Sequence, residues 1–435
     1  MNYYKRTADA LLQDLLDAFG AVLIEGPKWC GKTTTASQLA NSILRMQDPS
    51  MREEYLATAK TKPSILLKGD TPRLIDEWQD APMLWDAVRT TVDDRQIPGQ
   101  FILTGSNAVD KSQIHHSGAG RIARLRMLPM SLWESQESTG EVSLKELFNN
   151  PDYDIDGKMS KMTVEDLIFA ASRGGWPASL LARTPKAQLL VAKNYVQTIC
   201  SDDVSGIDGK KRDAKLTSMI LRAYARNVST LVKKKSLLDD VTSSGEVSCH
   251  VDTFDDYVSA LEKLFVIQNI SAWCPAIRSK TAIRSSVKRC FCDPSIPIAL
   301  LGLSPESLSM QLRTFGFIFE QMCIRDLKAY TIDLNSHVSY YHDRYDLEAD
   351  IVLHLEDGRY ALIECKLGSS EIDEGAKHLL ELKRLIQEHN KTEKQVPIRE
   401  PDLLIVMTGG TMAYSRPDGV KVIPLALSLI HISEP

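Results

Sequence analysis

The sequence has no long apolar run. No stretch approaches the roughly 18 to 20 residues that span a bilayer, and the opening MNYYKRTADALLQDLLDAFG puts acids where a secretory signal has its apolar core. A cytoplasmic protein with no membrane partner is the expectation. Cysteine is sparse, eight in 435 residues, and no C-x-x-C pair occurs, which argues against a disulfide scaffold and a zinc knuckle. The closest pair, Cys290-Phe-Cys292, alternates as on a strand and reads as two small buried side chains on one face. A charge excess of one sign is also missing. With 52 Lys and Arg against 57 Asp and Glu, the net charge of −5 is no footprint of a nucleic-acid binder. The balance is uneven along the chain, however: residues 210–290 hold 15 basic and 8 acidic side chains, and 291–435 hold 14 and 22.

What is present is an ordinary globular composition, 43% hydrophobic and 25% charged, in a chain long enough for about three domains. Its organising stretch is Ala21-Val-Leu-Ile-Glu-Gly-Pro-Lys-Trp-Cys-Gly-Lys-Thr33. Ala21 to Ile24 has the character of a buried parallel strand, and GPKWCGKT is the G-x-x-x-x-G-K-[ST] phosphate loop. Gly26 and Gly31 let the backbone curl so that amides point inward, with Pro27, Lys28, Trp29 and Cys30 completing the cradle. The helix opening near Lys32 and running through Thr34 toward Leu44 adds its positive end. Lys32 is expected between the β- and γ-phosphates of ATP, and the Thr33 hydroxyl on Mg²⁺. Cys30 receives no chemical role.

An amphipathic helix over residues 5–19 leads into this strand, and residues 48–63 read as a loop with a short helix. The stretch Pro72-Arg-Leu-Ile-Asp-Glu-Trp-Gln79 then supplies a short apolar strand ending in two acids. In such a context Asp76 holds the Mg²⁺ shell and Glu77 polarises the attacking water. A third strand, Gly99-Gln-Phe-Ile-Leu-Thr-Gly-Ser-Asn107, brings Ser106 or Asn107 toward the γ-phosphate. Arg121 follows a flexible Gly118-Ala-Gly120, where an arginine can be offered to a phosphate in a second copy of the chain.

The phosphate loop, LIDEWQ, FILTGSN and GRIARLRMLPMSLWE, in this order, resemble the AAA-type ATPases of bacteria and archaea that carry a C-terminal domain similar to restriction endonucleases. The resemblance continues through Gly174-Gly-Trp-Pro177 and Phe291-Cys-Asp-Pro294. It implies a parallel P-loop sheet with flanking helices over 1–140, with Lys32, Thr33, Asp76 and Glu77 in the roles above and Ser106 and Arg121 at the sensor and arginine positions.

Residues 141–209 read as a helical linker with a polar stretch before a helix near Val164–Ser172. Residues 210–290 resemble a winged helix, but the candidate recognition helix opens with Asp252, Asp255 and Asp256, which repel DNA. A structural or protein-docking role is therefore favoured, with Lys233-Lys-Lys235 left as a nonspecific phosphate contact.

Residues 291–426 read as a restriction-endonuclease-like α/β domain. Leu347–Leu355 and Arg359–Lys366 form a hairpin around Glu356-Asp-Gly358, and a three-residue loop sets Asp350 opposite Glu364. Asp350 with Glu364-Cys-Lys366 is the PD-(D/E)xK pattern, to which the helix acid Glu320 is added. Asp350, Glu364 and Glu320 are the expected Mg²⁺ ligands, with Glu364 and Lys366 catalytic. Residues 427–435 resemble translated adapter DNA and are expected not to pack. Two functional readings follow: an ATP-driven nuclease acting on DNA, or an ATP-switched scaffold whose nuclease-like domain docks a protein or nucleic-acid partner.

Overall fold

The computed structural model describes residues 3–106, 117–243, 245–274, 286–392 and 397–429. The chain divides into two compact units, residues 1–129 with 263–265, and residues 130–262 with 266–435. The first unit thus ends some ten residues before the expected boundary at 140. The three further domains read over 141–426 fall within the second unit.

The first unit follows hydrophobic patterning closely. Helix α1 (Ala8–Ala18) buries Ala8, Leu12 and Leu16, and β1 (Ala21–Glu25) is buried at every position, as an apolar run between two parallel neighbours requires. Helix α2 (Lys32–Leu39) is followed by β2 (Ser42–Arg45), α3 (Arg52–Thr61), β3 (Arg73–Asp76), α4 (Met83–Arg95), β4 (Phe101–Gly105) and β5 (Ile122–Arg126). The sheet is parallel in the order β2-β3-β4-β1-β5. One expectation fails here. The helix after the phosphate loop stops at Leu39, and Ile43 and Leu44 pair with Leu74 and Ile75 on the sheet edge. Local pattern does not separate a short apolar strand from a helix end; the exposed edge of β3 does.

In the second unit, the helix Val164–Arg173 begins with a reciprocal Thr163–Asp166 capping box and ends at Gly174, near the expected bounds. The motifs Gly174-Gly-Trp-Pro177, Phe291-Cys-Asp-Pro294 and Leu132-Trp-Glu134 converge on one buried network. Arg325 bridges Asp293 at 3.0 Å and Asp326 at 2.7 Å. Asp293 accepts from the Gly175 amide (2.9 Å), and Asp326 from the Leu132 amide (3.0 Å). Burial alone would lower the Arg325 guanidinium, but the two aspartates reverse this and hold it charged.

Residues 210–290 supply the helices Ala214–Arg226, Lys234–Thr242 and Val251–Lys263, then antiparallel bridges Ile267–Phe291 and Ile270–Lys288. Two acids of the third helix are neutralised within the chain: Asp255 pairs with Lys234 (2.9 Å), and Asp256 with Lys210 (2.7 Å) and Arg212 (2.9 Å). Cys290 and Cys292 are both buried.

The C-terminal sheet is mixed. Strands β6 (Val142–Ser143), β7 (His337–His342), β8 (Glu348–His354), β9 (Tyr360–Lys366), β10 (Leu403–Thr408), β11 (Tyr414–Ser415), β12 (Lys421–Pro424) and β13 (Ser428–Leu429) complete the strand set. Six of them form a sheet in the order β11-β12-β10-β9-β8-β7. The helix Ile372–Thr392 crosses from β9 to the parallel β10 and packs Ala376, Leu379 and Leu382 in one cluster with Val352, Leu362 and Val406. The hairpin register is the one argued from alternation. Leu355 donates to Arg359 (2.8 Å), and Val352 lies opposite Leu362.

The expectation that the chain end does not pack fails for its first residues. Leu427 and Ser428 are fully buried, β13 pairs in parallel with β6, and Ser138 donates to the Ser428 carbonyl at 2.9 Å. An open strand and an apolar slot decide this, whatever the origin of the sequence. Residues 430–435, like Asn107, lie outside the described residues.

Candidate functional site

The phosphate loop sits where β1 hands over to α2, at the carboxyl end of the sheet. Its two glycines have separate physical causes. At Gly26 an added Cβ would lie 2.2 Å from the Met127 carbonyl oxygen, and Gly31 has φ 101°, a left-handed conformation that side chains avoid. Trp29 also takes positive φ (64°), and its ring is substantially exposed, whereas Cys30 is fully buried. Pro27 and Gly26 present carbonyls to Lys32, whose ammonium donates to them at 2.8 and 3.0 Å. Lys28 and Thr34 belong to the same turn and the helix that follows.

Because β4 lies between β1 and β3, the ends of these strands meet above it. The Thr33 hydroxyl donates to Asp76 Oδ1 at 2.7 Å, and Thr104, paired with Asp76 across the sheet, donates to the same oxygen at 2.6 Å. Glu77 sits in the left-handed region (φ 57°), turning its carboxylate to Ser106, whose hydroxyl donates to Oε1 at 3.1 Å. Gln79 donates to Oε2. A hydroxyl and a carboxylate oxygen in contact are hard donors of the kind Mg²⁺ selects, so Thr33 and Asp76 fit that ion.

Arg121 is about half exposed and its Nε donates to Asp93 on α4 at 2.8 Å. That hydrogen bond holds the Asp93 carboxyl below its ordinary range. Sequence reasoning missed Arg6. Its buried guanidinium donates to the Cys30 and Leu128 carbonyls, both at 2.7 Å, and so ties the loop to the chain leaving β5. Thr104 and Gln79 were also missed as contributors; both stand within motifs already read, two residues from an assigned position.

The second constellation is only partly assembled as expected. Asp350 and Glu364 lie on adjacent strands, and Lys366 Nζ approaches Glu364 Oε2 at 2.9 Å, without hydrogen-bond direction. Glu364 is fully buried; burial, with Asp350 nearby, pushes its carboxyl up to about 9 against the pull of Lys366. Asp350 Oδ2 accepts from the Cys365 amide at 2.8 Å. Glu320 does not face a metal position: its carboxylate is taken by Lys288, which also lies 3.7 Å from Asp350 Oδ1. Among the described residues no group of three or more His, Cys, Asp or Glu is placed to hold a metal ion. The expected Mg²⁺ set of Glu320, Asp350 and Glu364 is therefore not assembled around one position: Lys288 stands between Glu320 and Asp350, and Glu364 is approached by Lys366.

Residues 18–136 match the family described as an AAA domain. Residues 164–307 and 315–428 match two families described as domains of unknown function (DUF8612 and DUF4143). Over residues 18–136, nearly all of them in the first unit, the chain is thus similar to AAA-type P-loop domains. It is similar to proteins of Mycobacterium bovis and Mycobacterium tuberculosis described as uncharacterized, each 24% identical over 366 residues, 82% of this chain and 72% of theirs. Among solved structures, a Walker-type ATPase of Pyrococcus abyssi aligns at 12% identity and TM-score 0.39, over 67% of this chain and 94% of its own. A signal-transduction ATPase with a tetratricopeptide-repeat sensor from Pyrococcus horikoshii aligns at 13% and 0.24, over 74% and 47%. Among the described residues no helix is long and apolar enough to cross a membrane.

Proposed function

We propose that the protein is an ATP-hydrolysing switch whose first unit turns over ATP with Mg²⁺ and whose C-terminal sheet module binds a partner without cutting it. One observation carries the ATPase half: Thr33 and Asp76 meet within hydrogen-bond reach, beside a Glu77 fixed by Ser106. Thr33 and Asp76 would hold Mg²⁺, which supplies charge neutralisation at the phosphates. The loop amides and Lys32 hold the β- and γ-phosphates, the ammonium giving up its two loop carbonyls to do so. Glu77 orients the attacking water and takes its proton, with Ser106 steadying the carboxylate. A second copy of the chain is the partner that Arg121 implies, its guanidinium leaving Asp93 to reach a neighbouring phosphate.

The decisive measurement is phosphate release from ATP. Lys32→Ala should abolish nucleotide binding, whereas Glu77→Gln should bind ATP and lose at least about 100-fold in turnover. Unchanged turnover in both variants would sink the reading.

For the C-terminal module, the excess of acids in 291–435 favours a protein partner. One observation favours the alternative, metal-dependent cleavage of DNA: the assembly of Asp350, Glu364 and Lys366 on neighbouring strands. Plasmid incubated with Mn²⁺, with and without ATP, separates them. Nicking that Asp350→Ala removes would establish cleavage.

A further inference from the structure

The acid pair that a divalent ion would bridge already holds a cation. Lys288 belongs to no motif read from the sequence, yet its main chain is fixed on both sides. Its amide donates to Ile270 (3.0 Å), its carbonyl accepts from Ile270 (3.1 Å), and the next amide donates to Thr230 (2.9 Å). From this anchored point the side chain, only 6% exposed, runs inward over the Tyr340 ring, whose centroid lies 5.6 Å from Nζ. The ammonium then donates to Glu320 Oε1 and to the Asp350 carbonyl (3.0 Å), and stands 3.7 Å from Asp350 Oδ1.

The other Asp350 oxygen is held by the Cys365 amide. What remains is no ring of free oxygens. A divalent ion could bridge the two carboxylates only by displacing this ammonium, which already donates to Glu320 Oε1 and the Asp350 carbonyl and stands 3.7 Å from Asp350 Oδ1.

We propose that Lys288 is a resident cation that takes the place of a divalent metal ion between Glu320 and Asp350, so that this module works without a metal. The tether makes the charge permanent. A groove of about 910 Å³ opens on this lysine and on Lys366. Glu320, Glu348, Asp350 and Glu371 line the same groove, so whatever enters meets two tethered ammonium groups already set against carboxylates, rather than an exchangeable ion.

The test is Mn²⁺ uptake by the nucleotide-free full chain, followed by electron paramagnetic resonance of the free ion. Uptake at Thr33 and Asp76 is common to all variants and cancels. The natural chain and Asp350→Asn should take up Mn²⁺ equally. Lys288→Met, which keeps the stem and removes the charge, should gain one site at least tenfold tighter than any in the natural chain, lost again on adding Asp350→Asn. Natural protein that binds a Mn²⁺ ion lost in Asp350→Asn would overturn the proposal, as would a folded Lys288→Met that gains nothing. Should Lys288→Met fail to fold, the comparison of natural chain and Asp350→Asn decides alone.

Discussion

Asp76 Oδ1 receives two hydroxyls, from Thr33 and Thr104, and only Thr33 stands where the loop motif demands it. A hydrogen bond to a charged acceptor contributes about 1.5 kcal/mol or more. Thr104→Val keeps the shape and removes that bond, so the Mg²⁺ concentration giving half-maximal turnover should rise about tenfold, as a metal titration of the ATPase would read. A second residue-level prediction concerns acid. Asp208 is pulled down to about 2, first by the hydrogen bond from the buried Arg212. Its unfolded value is about 3.9. A carboxyl lowered on folding stabilises above the unfolded value and loses that stabilisation as pH falls through the folded one. Asp208→Asn should therefore cost about 1 to 2 kcal/mol at pH 7 and almost nothing below about pH 2, measurable by denaturation at each pH.

The loop motif gave Lys32 and Thr33 by spacing, and the strand ends gave Asp76, Glu77 and Ser106; the fold brings Thr33 to Asp76 and Ser106 to Glu77. Arg6 and Lys288 were not legible, because each acts on residues far away in sequence through main-chain acceptors that no motif records.

At the level of elements, alternation was enough for the hairpin: a three-residue turn and period-two patterning leave one register that buries Ile351, Leu353, Ala361 and Ile363 together. It was not enough for β2 or β13, whose strand character comes from an unpaired neighbour. Removing residues 428–435 tests this. The truncation leaves β6 without its partner and strips the acceptor from the buried Ser138 hydroxyl. An unpaired buried hydroxyl costs about 1 to 3 kcal/mol. The melting temperature of the second unit should fall by several degrees, roughly 2 to 4 for each kcal/mol lost. A melting curve identical to that of the full chain would return the tail to the status the sequence suggests.

At the scale of the molecule, the units carry separate constellations: a phosphate-loop motif at the end of a parallel sheet, and Lys288 set between two acids beside a mixed sheet. A ligand stabilises the unit that binds it, by about 2.7 kcal/mol at 100 times its dissociation constant. A nonhydrolysable ATP analogue with Mg²⁺ should therefore raise the melting of the first unit by several degrees, and Lys32→Ala should abolish the shift. Hydrogen exchange of α2 peptides would report it directly.

The sequence by itself determined the phosphate-loop motif between an apolar strand and a helix, since loop amides and an ammonium must recur at set spacings to suit a polyphosphate. It also determined the C-terminal register. The tertiary structure alone decided what occupies the second acid pair. Burial makes a lone carboxylate costly, and the cation that offsets it arrives from Lys288, 32 positions before Glu320 and 62 before Asp350, on a ladder that forms only when the unit folds.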